Sequence, residues 1–73
     1  MITVQIGKNG VTEGLLQHIK GLLQEHGAVK CNLLKSYADT VNIEETAEAF
    51  TKVYDDIEVE STYRGNTVTL HKK

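Results

Sequence analysis

The chain has no proline, no tryptophan, one cysteine and one phenylalanine among its 73 residues. Without proline there is no ready linker, and no repeat or low-complexity stretch divides the sequence, so a single domain over residues 1–73 is expected. Cys31 cannot close an internal disulfide, and a small secreted domain usually needs several, which favours a reducing, cytoplasmic setting. No apolar run approaches the roughly 18 residues of a membrane span, and the opening MITVQIG lacks the basic start and apolar centre of a signal peptide. The three histidines, His18, His26 and His71, stand apart, without partners at metal-ligand spacing. Neither Cys-x-x-Cys nor a nucleophile motif occurs. At this length only about 60 % of the unfolded surface can be buried, which leaves little room for an enclosed active site. No catalytic residue, metal or cofactor is therefore expected.

What is present is charge, unevenly spread. The formal net charge is −2. Residues 39–60 hold eight acids, Asp39, Glu44, Glu45, Glu48, Asp55, Asp56, Glu58 and Glu60, against Lys52 alone, a balance of −7. The remainder holds Lys8, Lys20, Lys30, Lys35, Arg64, Lys72 and Lys73 against Glu13 and Glu25, a balance of +5. If the positive segments meet in space they form a local anion-attracting surface on an acidic protein.

The apolar residues give the architecture. Ile2, Val4 and Ile6 alternate with polar residues, the period-two pattern of a strand with one buried face. Beyond Gly7–Gly10 the period changes: Leu15, Ile19, Leu22, Leu23 and His26 recur at helical spacing, with Thr12 as N-cap and Gly27 as the stop. Gly21 falls inside this helix and is read as a site of close helix-to-sheet packing. Val29, Cys31 and Leu33 mark a second strand, Cys31 being a small core residue, and KSYADTV a connecting loop. Asn42 and Glu45 have capping-box spacing, and Ile43, Ala47, Phe50 and Tyr54 mark one face of a second helix ending near Asp55. Ile57, Val59, Ser61 and Tyr63 then alternate toward a Gly65–Asn66 hairpin turn, after which Val68 and Leu70 form the last strand. Tyr63 is expected to point inward. The order βαβαββ, with strands apolar on one face only, predicts an α/β two-layer sandwich with two helices on one side of the sheet.

The tetrapeptide Gly7-Lys8-Asn9-Gly10 stands out between strand and helix. Glycines there can take positive φ and let backbone approach a partner closely, and a following helix offers free N–H groups and the positive end of its dipole. With Lys8 this suits a phosphate. A strand-to-helix loop also uses glycine simply to turn, and spacing alone leaves both readings open. The motif lacks the third glycine of a dinucleotide fingerprint and the Gly-Lys-Ser/Thr of a P-loop.

The segment VQIGKNGVTEGLLQHIKGLLQEHGAVKCNLL and the ending YRGNTVTLHKK resemble, in order and spacing, the signature of the CRM domain, the YhbY-like RNA-binding family of ribosome-maturation and intron-splicing factors. The resemblance implies a four-stranded mixed sheet with helices packed on one face and binding to structured RNA, for stand-alone prokaryotic members a precursor of the large ribosomal subunit. On matching positions it implies RNA contacts at Gly7, Lys8, Asn9 and Gly10, with Thr12 just after them. Members usually begin with a basic helix before the first strand and are basic overall, whereas here no such helix precedes Ile2 and the chain is acidic. The expected function is a non-enzymatic module for ribosomal or other structured RNA, free or in a pre-ribosomal particle, with Lys30, Lys35, Arg64 and Lys72 adding screened attraction. The alternative is a protein-interaction module whose acidic second half docks a basic partner such as a ribosomal protein.

Overall fold

The computed structural model describes residues 2–73. Strand β1 (Ile2–Ile6) leads through the glycine loop into helix α1 (Glu13–His26), strand β2 (Ala28–Leu33) and a short helix α2 (Lys35–Ala38). Helix α3 (Ile43–Lys52) precedes β3 (Val59–Arg64) and β4 (Thr67–Lys72). The sheet order is β1-β2-β4-β3. β1 and β2 are parallel, as a strand–helix–strand crossover requires, and the remaining pairs are antiparallel, so the sheet is mixed.

One side of every strand feeds a single core. Ile6, Val29, Cys31, Leu33, Val59, Val68 and Leu70 are buried together with Ile19 and Leu23 of α1 and Ala47 and Phe50 of α3. The alternate strand residues, among them Thr3, Gln5, Lys30, Thr62 and Arg64, stay at the surface. Local chemistry sets the element ends. Thr12 Oγ1 accepts the Leu15 N–H at 3.1 Å, and Gly27 at φ +83° sends its N–H to Leu23 O to close α1. Asn42 Oδ1 accepts the Glu45 N–H at 3.0 Å to open α3. Gly65 at φ +60° makes the two-residue β3–β4 turn, with no positive φ at Asn66, the II′ pattern.

Several expectations need correction. KSYADTV is not wholly loop: the Tyr37 and Ala38 N–H groups both bond Leu34 O and wind the four residues of α2, too few for a hydrophobic period to reveal. α3 stops at Lys52, not near Asp55, because Tyr54 leaves the helix to donate its hydroxyl to Leu16 O of α1 at 2.8 Å. β3 begins at Val59, so Ile57 packs against the core from outside the strand. Tyr63 has the core-side register, opposite Val68, yet is 47 % exposed, since burial fades along this edge strand from Val59 to the hairpin. Gly21 faces open space, not the sheet, and His26 is exposed. Val4, Leu15 and Leu22 are half-buried residues packed around the core rather than within it.

Candidate nucleic-acid interface

The glycine loop grows directly out of the core. Ile6 is buried, and its carbonyl accepts the Leu34 N–H at 2.9 Å, which carries the β1–β2 pairing one step past the strands. The next four residues form a closed turn, Gly10 donating its N–H to Gly7 O at 2.8 Å, with Lys8 and Asn9 exposed at its corners. The two glycines are not equivalent. Gly10 has φ +69°, and a Cβ there would stand 2.9 Å from Tyr37 Cε1. Gly7 has no positive φ, and a Cβ there would meet Leu34 Cδ1 at an ordinary 3.6 Å. Only Gly10 is demanded by the backbone and by the close approach of α2. Among the described residues, the N–H groups of Lys8, Asn9, Val11 and Thr12 make no hydrogen bond. These unengaged donors lie just before the N-terminus of α1, where the helix dipole is positive. Thr12 Oγ1 is engaged in its cap, so any contact from this residue falls to its backbone.

The topology gathers most of the other basic candidates at the same end of the sheet. Ile6 pairs with Leu33, Asn32 with Thr67, and Thr67 with Arg64. Leu33 also donates its N–H to Asn66 O at 2.8 Å, holding the hairpin tip against the end of β2. Lys8, Asn9, Lys35 and Arg64 therefore share one rim. Lys30 lies mid-sheet on the face away from the core, between Thr3 and Thr69. Lys72 is not brought to the rim: it pairs with Val59 at the opposite end, roughly 17 Å along β4 from Thr67.

Three of the eight acids of residues 39–60 are engaged with other bases. Lys20 pairs with Asp56, Lys52 with Glu48 at 2.9 Å, and Lys73 with Glu60 at 3.3 Å. The hydrogen bond from Lys52 holds the Glu48 carboxyl below its usual range, and that from Lys20 does the same for Asp56. Lys8, Lys30, Lys35, Arg64 and Lys72 enter none of the ion pairs among the described residues. Tyr37 was invisible as a shaping residue in the sequence, because nothing local links it to Gly10. A groove of about 210 Å³ lies beside the loop, lined by Val11, Leu16, Tyr37, Thr46, Ala49, Phe50 and Val53. No carboxylate, histidine, lysine or cysteine lines it. Among the described residues no group of three or more His, Cys, Asp or Glu side chains could hold a metal ion, and no helix is long and apolar enough to cross a membrane.

A small mixed sheet backed by helices carries on one rim a glycine turn, a helix N-terminus and unengaged bases, the donors and positive charge that suit a phosphate-bearing polymer. The chain belongs to the CRS1/YhbY (CRM) domain family, an RNA-binding domain family, whose model matches residues 2–72. Comparison with curated proteins finds no match.

Proposed function

We propose that the chain binds structured RNA in the cytoplasm, ribosomal RNA or a large-subunit precursor, with the Gly7–Gly10 turn as its phosphate seat. The observation that carries this reading is the separation of charges: the acids of residues 39–60 that form ion pairs take Lys20, Lys52 and Lys73, while Lys8, Lys35 and Arg64 on the rim keep their charge available. A phosphate at the turn meets the backbone N–H groups of Lys8 and Asn9, the α1 dipole and the Lys8 ammonium, while Lys35 and Arg64 meet neighbouring phosphates. Lys30 and Lys72 act at longer range. Such contacts position an RNA by its backbone and its shape.

The test replaces Lys8 and Asn9 together by aspartate. Neither residue closes the turn, so the circular-dichroism spectrum should not change. Binding to structured RNA at low salt should fall strongly, and the deficit should shrink as salt rises, since each neutralised phosphate contributes roughly one unit to the log–log slope. Unchanged affinity in the folded variant removes the turn from the mechanism. Crosslinking the wild-type protein to total cellular RNA and sequencing the product identifies the target.

A further inference from the structure

The face of the sheet turned away from the core carries a pattern that the glycine turn does not account for. Two rows cross all four strands. One runs Thr3, Lys30, Thr69, Thr62 and the other Gln5, Asn32, Thr67, Arg64. Neither row contains an acid. Glu60, in the next row beside His71, is paired with Lys73 at 3.3 Å. Lys30, Thr62, Tyr63, Arg64, Thr67 and Thr69 line one shallow depression of about 340 Å³.

The hydroxyls on this face are unengaged, whereas most of those elsewhere are bonded within the protein. Thr40, Thr46, Thr51 and Ser61 each donate to a backbone carbonyl at 2.7–2.9 Å. Among the described residues, Thr3, Thr62, Thr67 and Thr69 make no side-chain hydrogen bond inside the protein. Each keeps both a donor and an acceptor for an outside partner. The second row is also continuous with the rim: Gln5 is followed by Ile6 and the turn, and Arg64 by the hairpin.

We propose that this face is a second RNA-binding surface, which holds the ribose–phosphate backbone of an unpaired strand leaving the site at the glycine turn; the proposal rests on the RNA reading above. Lys30 and Arg64 meet phosphates. The threonine hydroxyls, together with Asn32 and Gln5, meet ribose 2′-hydroxyls, the group that separates RNA from DNA. Neither row contains an aromatic side chain, and Tyr63, the ring that lines the depression, stands in the core-side register, so the surface reads the backbone more than the sequence.

The probes are a stem-loop RNA alone, the same stem-loop with a single-stranded oligouridine tail of about eight nucleotides, and one with a deoxyuridine tail, all at one salt concentration. On the wild-type chain the ribose tail should tighten binding several-fold and the deoxyribose tail by less. The variant with Thr62→Val, Thr67→Val and Thr69→Val keeps the β-branched shape without the hydroxyl. It should bind the untailed stem-loop as wild type does and lose most of the gain from the ribose tail. Serine at the same positions should restore the gain. Lys30→Gln, which leaves the hydroxyls and the rim in place, should lower the log–log salt slope for the tailed probe by about 0.7, one single-strand phosphate, and change it little for the untailed one. A full tail gain in the valine variant, an unchanged slope in the glutamine variant, or a tail that adds nothing to a wild-type chain that binds the stem-loop overturns the proposal and leaves the RNA reading standing. No binding of any probe by the wild-type chain overturns both.

Discussion

A methyl group added to Gly7, Gly10 or Gly21 meets three different surroundings, and the outcomes should differ in sign. At Gly10 it would sit at φ +69° with Tyr37 Cε1 only 2.9 Å away, so Gly10→Ala should cost at least about 1 kcal/mol and displace α2. At Gly7 the nearest atom is at 3.6 Å and φ is not positive, so alanine should change stability by less than about 0.5 kcal/mol. At Gly21 nothing lies within 4 Å, and alanine should stabilise the helix by up to about 1 kcal/mol. Urea unfolding of the three variants checks the order. Two buried groups give an alkaline limit. Burial pushes the Cys31 thiol from 9.0 up to about 11, and burial, then the nearby Cys31 charge, pushes the Tyr54 hydroxyl from 10.0 to about 12. In the unfolded chain both lose their protons at lower pH. Stability is therefore complete below pH 9, declines above it and has lost both contributions beyond about pH 12. Melting temperatures recorded from pH 8 upward should fall accordingly, and Cys31→Val should flatten the portion between 9.0 and about 11.

Helix α1 divides its apolar residues between a fully buried pair, Ile19 and Leu23, and a half-buried fringe that includes Leu15 and Leu22. Leu23→Ala should cost about 2–5 kcal/mol, a large share of the stability of so small a domain, and Leu22→Ala clearly less; thermal melts of the two separate them. This division shows how far sequence periodicity reaches. It gave the strands, the long helices and their caps, because each buries a regular stripe and begins at Thr12 or Asn42. It could not rank Leu22 against Leu23, since the phase of a helix against a sheet depends on packing from other elements. It missed α2, which is one turn long, and it carried α3 past Lys52, because Tyr54 continues the helical spacing although its ring is held by a hydroxyl bond to Leu16 O. The site was legible in the same uneven way. The turn and Lys8 show in the local sequence, whereas the company of Lys35 and Arg64, and the distance of Lys72, follow from the β1-β2-β4-β3 order.

Across the whole molecule the charge halves of the sequence become regions of a solid. The acids from Asp39 to Glu58 lie on or beside α2 and α3 and in the segment before β3, while the rim and the outer sheet face carry Lys8, Lys35, Arg64 and Lys30. An acidic protein can attract a polyanion only if the two regions are separated by more than the screening distance, about 8 Å at physiological ionic strength. Helix α3 tests this, because its N-terminus lies toward the same end of the sheet as the rim, whereas Glu58 lies just before Val59 at the opposite end. Glu44→Gln with Glu48→Gln removes two negative charges and releases Lys52 from its 2.9 Å pair. The fold should be unaffected, since an exposed pair of this kind contributes little. RNA affinity should rise a few-fold at low salt and return to the wild-type value as salt shortens the reach of the field. Glu58→Gln, measured in parallel, should leave affinity nearly unchanged. If the α3 variant loses RNA binding instead, its carboxylates contact a partner directly, and the protein-docking role of the acidic half takes precedence over simple repulsion.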